Sequence, residues 1–492
     1  MEGKVTGVQR TTNWFTIIFA GIALLSDGYQ NNVFNSINVI LGKLYSSSEY
    51  TSDTTSRIQN WYLVGAIIGQ LLLGLVIDRL GRKTGLLITT ICIILGTILS
   101  ASAFPTNDPI SMFWVLAVFR GLTGIGVGGE YPASSASASE AADETVAKRG
   151  GVFILVTNLV LSFGGTLGLM IVLILLAAFG TGNLAGVWRT AFGLGALLPL
   201  SVFYFRFKMG NSERFKGNAI TRKVPYILAV RRYWKSLLGV AGCWFIYDFV
   251  VFPNGTFSGV IINNFVTDKS LNGLYQTFEW QLLLSLFSLP GVLLGSWCVD
   301  KIGRKYTMAI GFVLSGTFGL LLGGFYDQLQ NQIGGFIVLY GLFLSSANFG
   351  PGDCLGLTAA ESFPTSIRGV LYGLCAAIGK AGAAVGTAVL VPLRTSFATV
   401  EQGNRAVFYL CGALGFLGAA WCLLFVTEFS KVTLESEDEA WKAYLKENGW
   451  EGNFGFEKEI EFGVVVGDAD AKVVEIEGPV VGVVDGKSSS VV

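Results

Sequence analysis

The chain has 492 residues, of which 52% are hydrophobic and 14% charged; 34 basic side chains balance 34 acidic ones, and histidine is absent. A soluble domain is about a quarter charged, so an ordinary water-soluble globule is excluded, and no overall basic excess invites nucleic acid. The apolar surface calls for a bilayer.

Residues Met1 to Trp14 are polar and lead directly into a full-length apolar span, so no cleavable signal is read there. A membrane crossing needs about 20 apolar residues. On that measure six spans are predicted at 15–40, 58–78, 84–104, 112–133, 150–178 and 188–206. Six more follow at 236–265, 280–300, 306–326, 332–356, 369–393 and 406–427. The expected fold is an all-α membrane protein of twelve transmembrane helices: a half at 1–206, a linker loop at 207–235, a second half at 236–427 and an acidic tail at 428–492. That tail holds 15 acidic and 6 basic residues. It is too polar to span and is expected to be solvated and largely disordered, with one short helix around Ala440 to Lys446. The 64 glycines suit close helix packing. All seven cysteines lie in apolar spans without metal-ligand spacing, so neither a metal nor another cofactor is expected.

Basic residues set the orientation. Loops after even-numbered spans hold 18 Lys and Arg, and those after odd-numbered spans hold 6. Positive loops stay inside, so both termini are expected in the cytoplasm.

Rare charged landmarks recur between the halves. Asp27 and Asp248 are 221 apart, Asp78 and Asp300 are 222 apart, and Glu130 and Asp353 are 223 apart. Glu140 and Glu361 keep a spacing of 221, and Arg149-Gly150 and Arg368-Gly369 one of 219. Five such pairs in near-constant register indicate two parallel six-helix repeats.

The motifs sit on this frame. The loop Asp78-Arg79-Leu80-Gly81-Arg82-Lys83 recurs around Asp300, Gly303 and Arg304. An acid ends one helix, glycine permits a tight turn, and basic side chains hold the loop at the inner face. Asp78, Arg82, Asp300 and Arg304 are therefore expected to be gating elements, not substrate ligands. In Arg120 to Glu140, glycines 121, 124, 126, 128 and 129 leave a nearly bare helix face that either packs closely or borders a cavity. Glu130 lies well into that span, where ionisable groups mark ion or substrate pathways. Arg120 is either functional or the partner of a carboxylate. In span 1, Asp27, Tyr29, Asn31, Asn32 and Asn35 make a polar run that lipid would not tolerate. In span 7, Trp244, Asp248 and Phe252 share one face. Lys380, between Gly379 and Ala381 in span 11, needs a carboxylate or an anion.

GGEYPASSASASE resembles the span-4 signature of phosphate:proton symporters in the major facilitator superfamily and, more closely, that of fungal glycerophosphoinositol and glycerophosphodiester permeases. SDGYQNN, WFIYDFVVFPNGTFS, NFGPGDCLGLTAAESFPTSIRG and GKAGAAVG extend the resemblance over about Trp14 to Thr427. It implies proton-coupling roles for Asp27 and Glu130, and the absence of histidine adds Asp248 as a further carboxylate for that step. The resemblance implies substrate-binding roles for Tyr131, Trp244, Asp248 and Lys380. Glu130 stands where the phosphate branch has aspartate, and Phe252 where it has tyrosine. Both departures favour a bulkier organic phosphate or another organic anion over inorganic phosphate.

The sequence reading is a secondary active transporter of a small anionic substrate, coupled to protons through carboxylates because no imidazole is available. Inorganic phosphate symport, export of an acidic metabolite and a transporter-like nutrient sensor remain the alternatives. No hydrolase or transferase motif is present, and GIGVGG lies inside a span with no strand before it, so no enzyme is expected. The chain is expected to act as a monomer in the plasma membrane.

Overall fold

A computed structural model describes residues 7–105, 108–145, 149–208, 211, 213–220, 223–428 and 433–455. Side chains are described from residue 21 onward, apart from 141–149, 213 and 214. The described residues contain helices and no strands.

The first four helices are α1 (Gly7–Leu44), α2 (Ser52–Arg79), α3 (Arg82–Ser102) and α4 (Pro109–Thr145). The fifth crossing is α5 (Arg149–Ile154), a π-helical turn at Leu155–Leu159 and α6 (Val160–Phe179). The sixth joins α7 (Leu184–Leu194) to α8 (Leu197–Lys208), and α9 (Glu213–Asn218) lies in the connection to the second half. That half contains α10 (Tyr226–Phe265), α11 (Gly273–Ile302) and α12 (Arg304–Leu329). Its fourth crossing repeats the interruption: α13 (Ile333–Ala347), a π-helical turn at Asn348–Gly352, then α14 (Asp353–Glu361). The last two crossings are α15 (Arg368–Thr395) and α16 (Val400–Phe425).

Eleven helical segments among the described residues are long and apolar enough to cross a membrane. α1 precedes them in the place expected for the first span. Apolar side chains such as Leu72, Leu95, Ile174, Leu294 and Trp297 are exposed on the outer surface, as a lipid-facing wall requires. Several helices outrun their predicted spans. α4 continues past 133 and α10 begins at Tyr226, because polar residues end a hydrophobic stretch without ending a helix.

The repeat is visible in the backbone. Gly81 and Gly303, which separate α2 from α3 and α11 from α12, both have positive φ, 97° and 96°. An L side chain at either position would be strained. The glycine face of α4 packs; it does not border the cavity. A Cβ at Gly124 would fall 2.1 Å from the carbonyl oxygen of Tyr62 in α2.

Beyond the last crossing the structure departs from a solvated tail. Helix α17 (Leu434–Glu447) starts at Thr433, whose side chain caps Ser436 N, and contains the helix expected at 440–446. Its apolar face buries Leu434, Trp441 and Leu445. Asp438 accepts hydrogen bonds from Thr365 N and Oγ1 at 2.6 and 2.7 Å. Burial raises the Glu437 carboxyl above its ordinary range, opposed by the Tyr233 hydroxyl that donates to it. An amphipathic stripe spaced for a helix had been hidden by the charge of the whole tail. The expectation for 456–492 lies outside the described residues.

Candidate functional site

Between the halves lies a cavity of about 260 Å³. α10 gives it one face, because Trp244, Tyr247, Asp248, Val251, Phe252 and Gly255 recur at helical spacing. α15 approaches α10 closely: a Cβ at Gly382 would be 2.3 Å from the carbonyl oxygen of Phe245. This close approach brings Lys380 against Asp248, with Nζ 2.8 Å from Oδ2 and both side chains almost wholly buried. The ammonium also lies 3.9 Å from the centre of the Phe252 ring and 5.3 Å from that of Tyr131, contacts that favour a cation. Trp244 sets its ring edge-on to Tyr372 at 5.5 Å. Tyr131, Trp244, Asp248 and Lys380 thus all line one cavity. Asn31, Asn32 and Asn35 line it from α1, together with Gln281 from α11 and Asn348 from the second π-helical turn.

Two expected residues are elsewhere. Asp27 and Glu130 are fully buried and neither lines the cavity. Glu130 is held by Arg206, with Nη1 2.8 Å from Oε2 and a second contact between Nη2 and Oε1. Thr89 donates to it at 2.7 Å, and Ser134 donates to its other oxygen. Among the described residues neither oxygen of Asp27 has a hydrogen-bond partner, and the charges nearest it are Glu130 and Arg206. Among the described residues Arg120 meets no carboxylate. It donates to the Gln30 carbonyl at 3.0 Å and lies over the Tyr62 ring at 4.4 Å.

The repeated loop motifs join the two halves away from the cavity lining. Asp78 accepts from Gly369 N and Val370 N at 3.0 and 2.7 Å, joining the first half to the start of α15. Arg82 pairs with Asp78 at 2.6 Å and Glu140 at 2.9 Å, and donates to the Thr365 carbonyl at 3.1 Å. Glu140 also receives Arg368 at 3.0 Å. The second half mirrors this arrangement. Asp300 accepts from Gly151 N at 2.8 Å, and Arg304 pairs with Glu361 at 3.0 Å and with Asp300 at 3.3 Å. Each motif therefore grips the opposite half. Nearer the cavity, Tyr372 donates to Ser135 across the halves at 2.9 Å. Toward the other side lies a second cavity, lined by Asn38, Tyr50, Phe257 and Arg394.

Sequence reasoning singled out the four loop-motif residues but missed their partners. Glu140, Glu361 and Arg368 served only as repeat landmarks, and Arg206 only as a loop charge. Their recurrence at repeat spacing was the available signal. Nothing in the sequence distinguished a residue that marks the repeat from one that joins the halves.

Three comparisons agree with this architecture. Residues 14–220 and 232–441 match the sugar (and other) transporter family. A glycerophosphoinositol permease of Candida albicans is 45% identical over 455 residues, covering 92% of this chain and 86% of that protein. A glycerophosphoinositol transporter of Saccharomyces cerevisiae is 42% identical over the same shares of the two chains. The fold is similar to that of the E. coli proton:xylose symporter XylE, with a TM-score of 0.71 at 18% identity, covering 88% of this chain and 99% of that one.

Proposed function

This chain belongs to the sugar (and other) transporter family of the major facilitator superfamily, and on that premise we propose that it takes up a glycerophosphodiester anion by proton-coupled alternating access. The observation that carries the substrate class is Lys380, a buried cation in the central cavity whose only ion-pair partner among the described residues is Asp248. An arriving phosphodiester competes with Asp248 for the ammonium. The amides of Asn31, Asn32, Asn35 and Gln281 leave hydrogen-bonding groups for an alcohol moiety. Phe252 offers a ring to the lysine and no hydroxyl to a bare phosphate, which favours glycerophosphoinositol or glycerophosphocholine over inorganic phosphate.

Asp27, Glu130 and Arg206 support the proton-coupled reading. One guanidinium balances one carboxylate, so a second buried carboxylate is stable beside it with a proton bound. The motif-bearing side faces the cytoplasm in this proposal, consistent with its basic loops, and the protein resides in the plasma membrane. Tags after Met1 and after Val492 are then expected to be reached only from the cytoplasmic side. Labelling of either on intact cells would overturn that orientation.

The function is tested by uptake into cells lacking their own permeases, offering labelled glycerophosphoinositol, glycerophosphocholine and phosphate in parallel. Uptake of a glycerophosphodiester is expected to rise as external pH falls and to collapse with a protonophore. Preferential accumulation of inorganic phosphate would select the alternative substrate. Binding without accumulation would indicate a sensor.

A further inference from the structure

Besides Asp248, a second carboxylate lines the central cavity. Asp353 begins α14 directly after the π-helical turn Asn348–Gly352, lines the central cavity and is 2% exposed. Its Oδ1 accepts a hydrogen bond from Asn158, which lies in the π-helical turn of the fifth crossing. That bond joins the two halves. Its Oδ2 has no hydrogen-bond donor among the described residues. It lies against α11, where a Cβ at Gly295 would fall 2.0 Å away.

The repeat makes the missing counter-ion conspicuous. Glu130 occupies the corresponding place in the first half and is held by Arg206 from the last crossing. Beyond the end of the second half's last crossing, α16, comes Glu428, an acid that accepts from Arg304 N and Lys305 N. No lysine or arginine appears among the described ion pairs of Asp353.

The surrounding elements supply no substitute. From α10 come Tyr247, whose hydroxyl donates to Asn348, and Asp248, already bound to Lys380 of α15. α11 carries Glu279 near its start and Asp300 and Lys301 near its end, and α12 begins with Arg304, which holds Glu361 and Asp300. Residues 150–179, including the turn that bears Asn158, contain no charged side chain. On its own element the neighbour is Cys354.

We propose that Asp353 carries one of the transported protons, bound while Asn158 and Asp353 meet and released when the halves part. An ionised carboxylate shut in a membrane interior without a cation is costly, so the closed arrangement retains the neutral acid. Parting the halves removes Asn158 and admits water, which solvates the ionised form. π-helical turns commonly accompany functional sites in helices, and here one lies on each side of the contact. The idea rests on the proton-coupled reading above, and the test separates the two.

Purified protein is reconstituted in vesicles at zero membrane potential, and steady-state accumulation of the glycerophosphodiester is measured against an imposed pH gradient. Each coupled proton contributes about a tenfold accumulation per pH unit. Asp353→Asn is expected to lower the slope of log accumulation against the gradient by one while counterflow exchange continues, and Asp353→Glu to restore it. An unchanged slope in Asp353→Asn overturns the proposal. A slope of zero in the unaltered protein overturns proton coupling as a whole. If Asp353→Asn does not reach the membrane, carbodiimide labelling of the unaltered protein decides, read by peptide mass spectrometry. Labelling of Asp353 that fades as pH rises supports the proposal, and no labelling at any pH overturns it.

Discussion

Lys380→Ala is expected to abolish uptake of the anion, by at least a hundredfold, while the protein still reaches the membrane. The substitution removes the substrate's cation and also strands Asp248, whose Oδ2 lies 2.8 Å from the ammonium in a nearly fully buried pair. Breaking one side of a buried pair typically costs about 3–5 kcal/mol, and each 1.36 kcal/mol is about tenfold in an equilibrium. Lys380→Arg is expected to recover little. The site grips a compact ammonium over the Phe252 ring at 3.9 Å and beside Asp248, and a planar fork needs different partner geometry. Initial uptake rates normalised to surface protein provide the measurement. A wild-type rate in Lys380→Ala would remove the anion site and make a neutral polyol the better substrate.

The second large effect is expected at Arg82. Its guanidinium joins Asp78, Glu140 and the carbonyls of Ile77 and Thr365, and it is 2% exposed. Thr365 belongs to the opposite half, and Asp78 reaches that half through Gly369 N and Val370 N. Arg82→Gln leaves Asp78 without its cation at the seam, while Arg368 still holds Glu140. A loss of about 3–5 kcal/mol from the closed arrangement approaches the ~5.5 kcal/mol that converts a 99:1 population into 1:99. The motif-bearing side should therefore open. A cysteine at Ser135, in a background without the native cysteines, is expected to react with an impermeant thiol reagent from that side in the variant and to be protected otherwise. Arg304→Gln should open it less, because its contact with Asp300 is longer, at 3.3 Å, and Asp300 is partly exposed. Equal protection of Ser135→Cys with and without Arg82 would show that the latch lies elsewhere.

The sequence by itself determined the crossings, because a bilayer imposes a length and an apolar composition that can be read residue by residue. It also determined the repeat, since Asp78 and Asp300 or Glu140 and Glu361 are too rare in such a chain to match by chance. The shared face of Trp244, Asp248 and Phe252 followed from helical spacing alone. Only the tertiary structure decided which buried charges meet. Glu130 and Lys380 looked alike in the sequence, as single ionisable groups among small residues. One is locked to Arg206 away from the cavity, whereas the other borders it with Asp248. Asp353 and Asn158 lie 195 residues apart, in different halves, and although Asp353 marks the repeat, nothing in the sequence pairs it with Asn158. The tail misled for a related reason: its net charge describes the average residue, whereas docking of α17 depends on Leu434, Trp441 and Leu445 sharing one face. Lipid acts on each helix separately and so leaves its record in local sequence. Ion pairing depends on which helices become neighbours, within one half for Glu130 and Arg206 and across the halves for Glu140 and Arg368, and local sequence keeps no record of that.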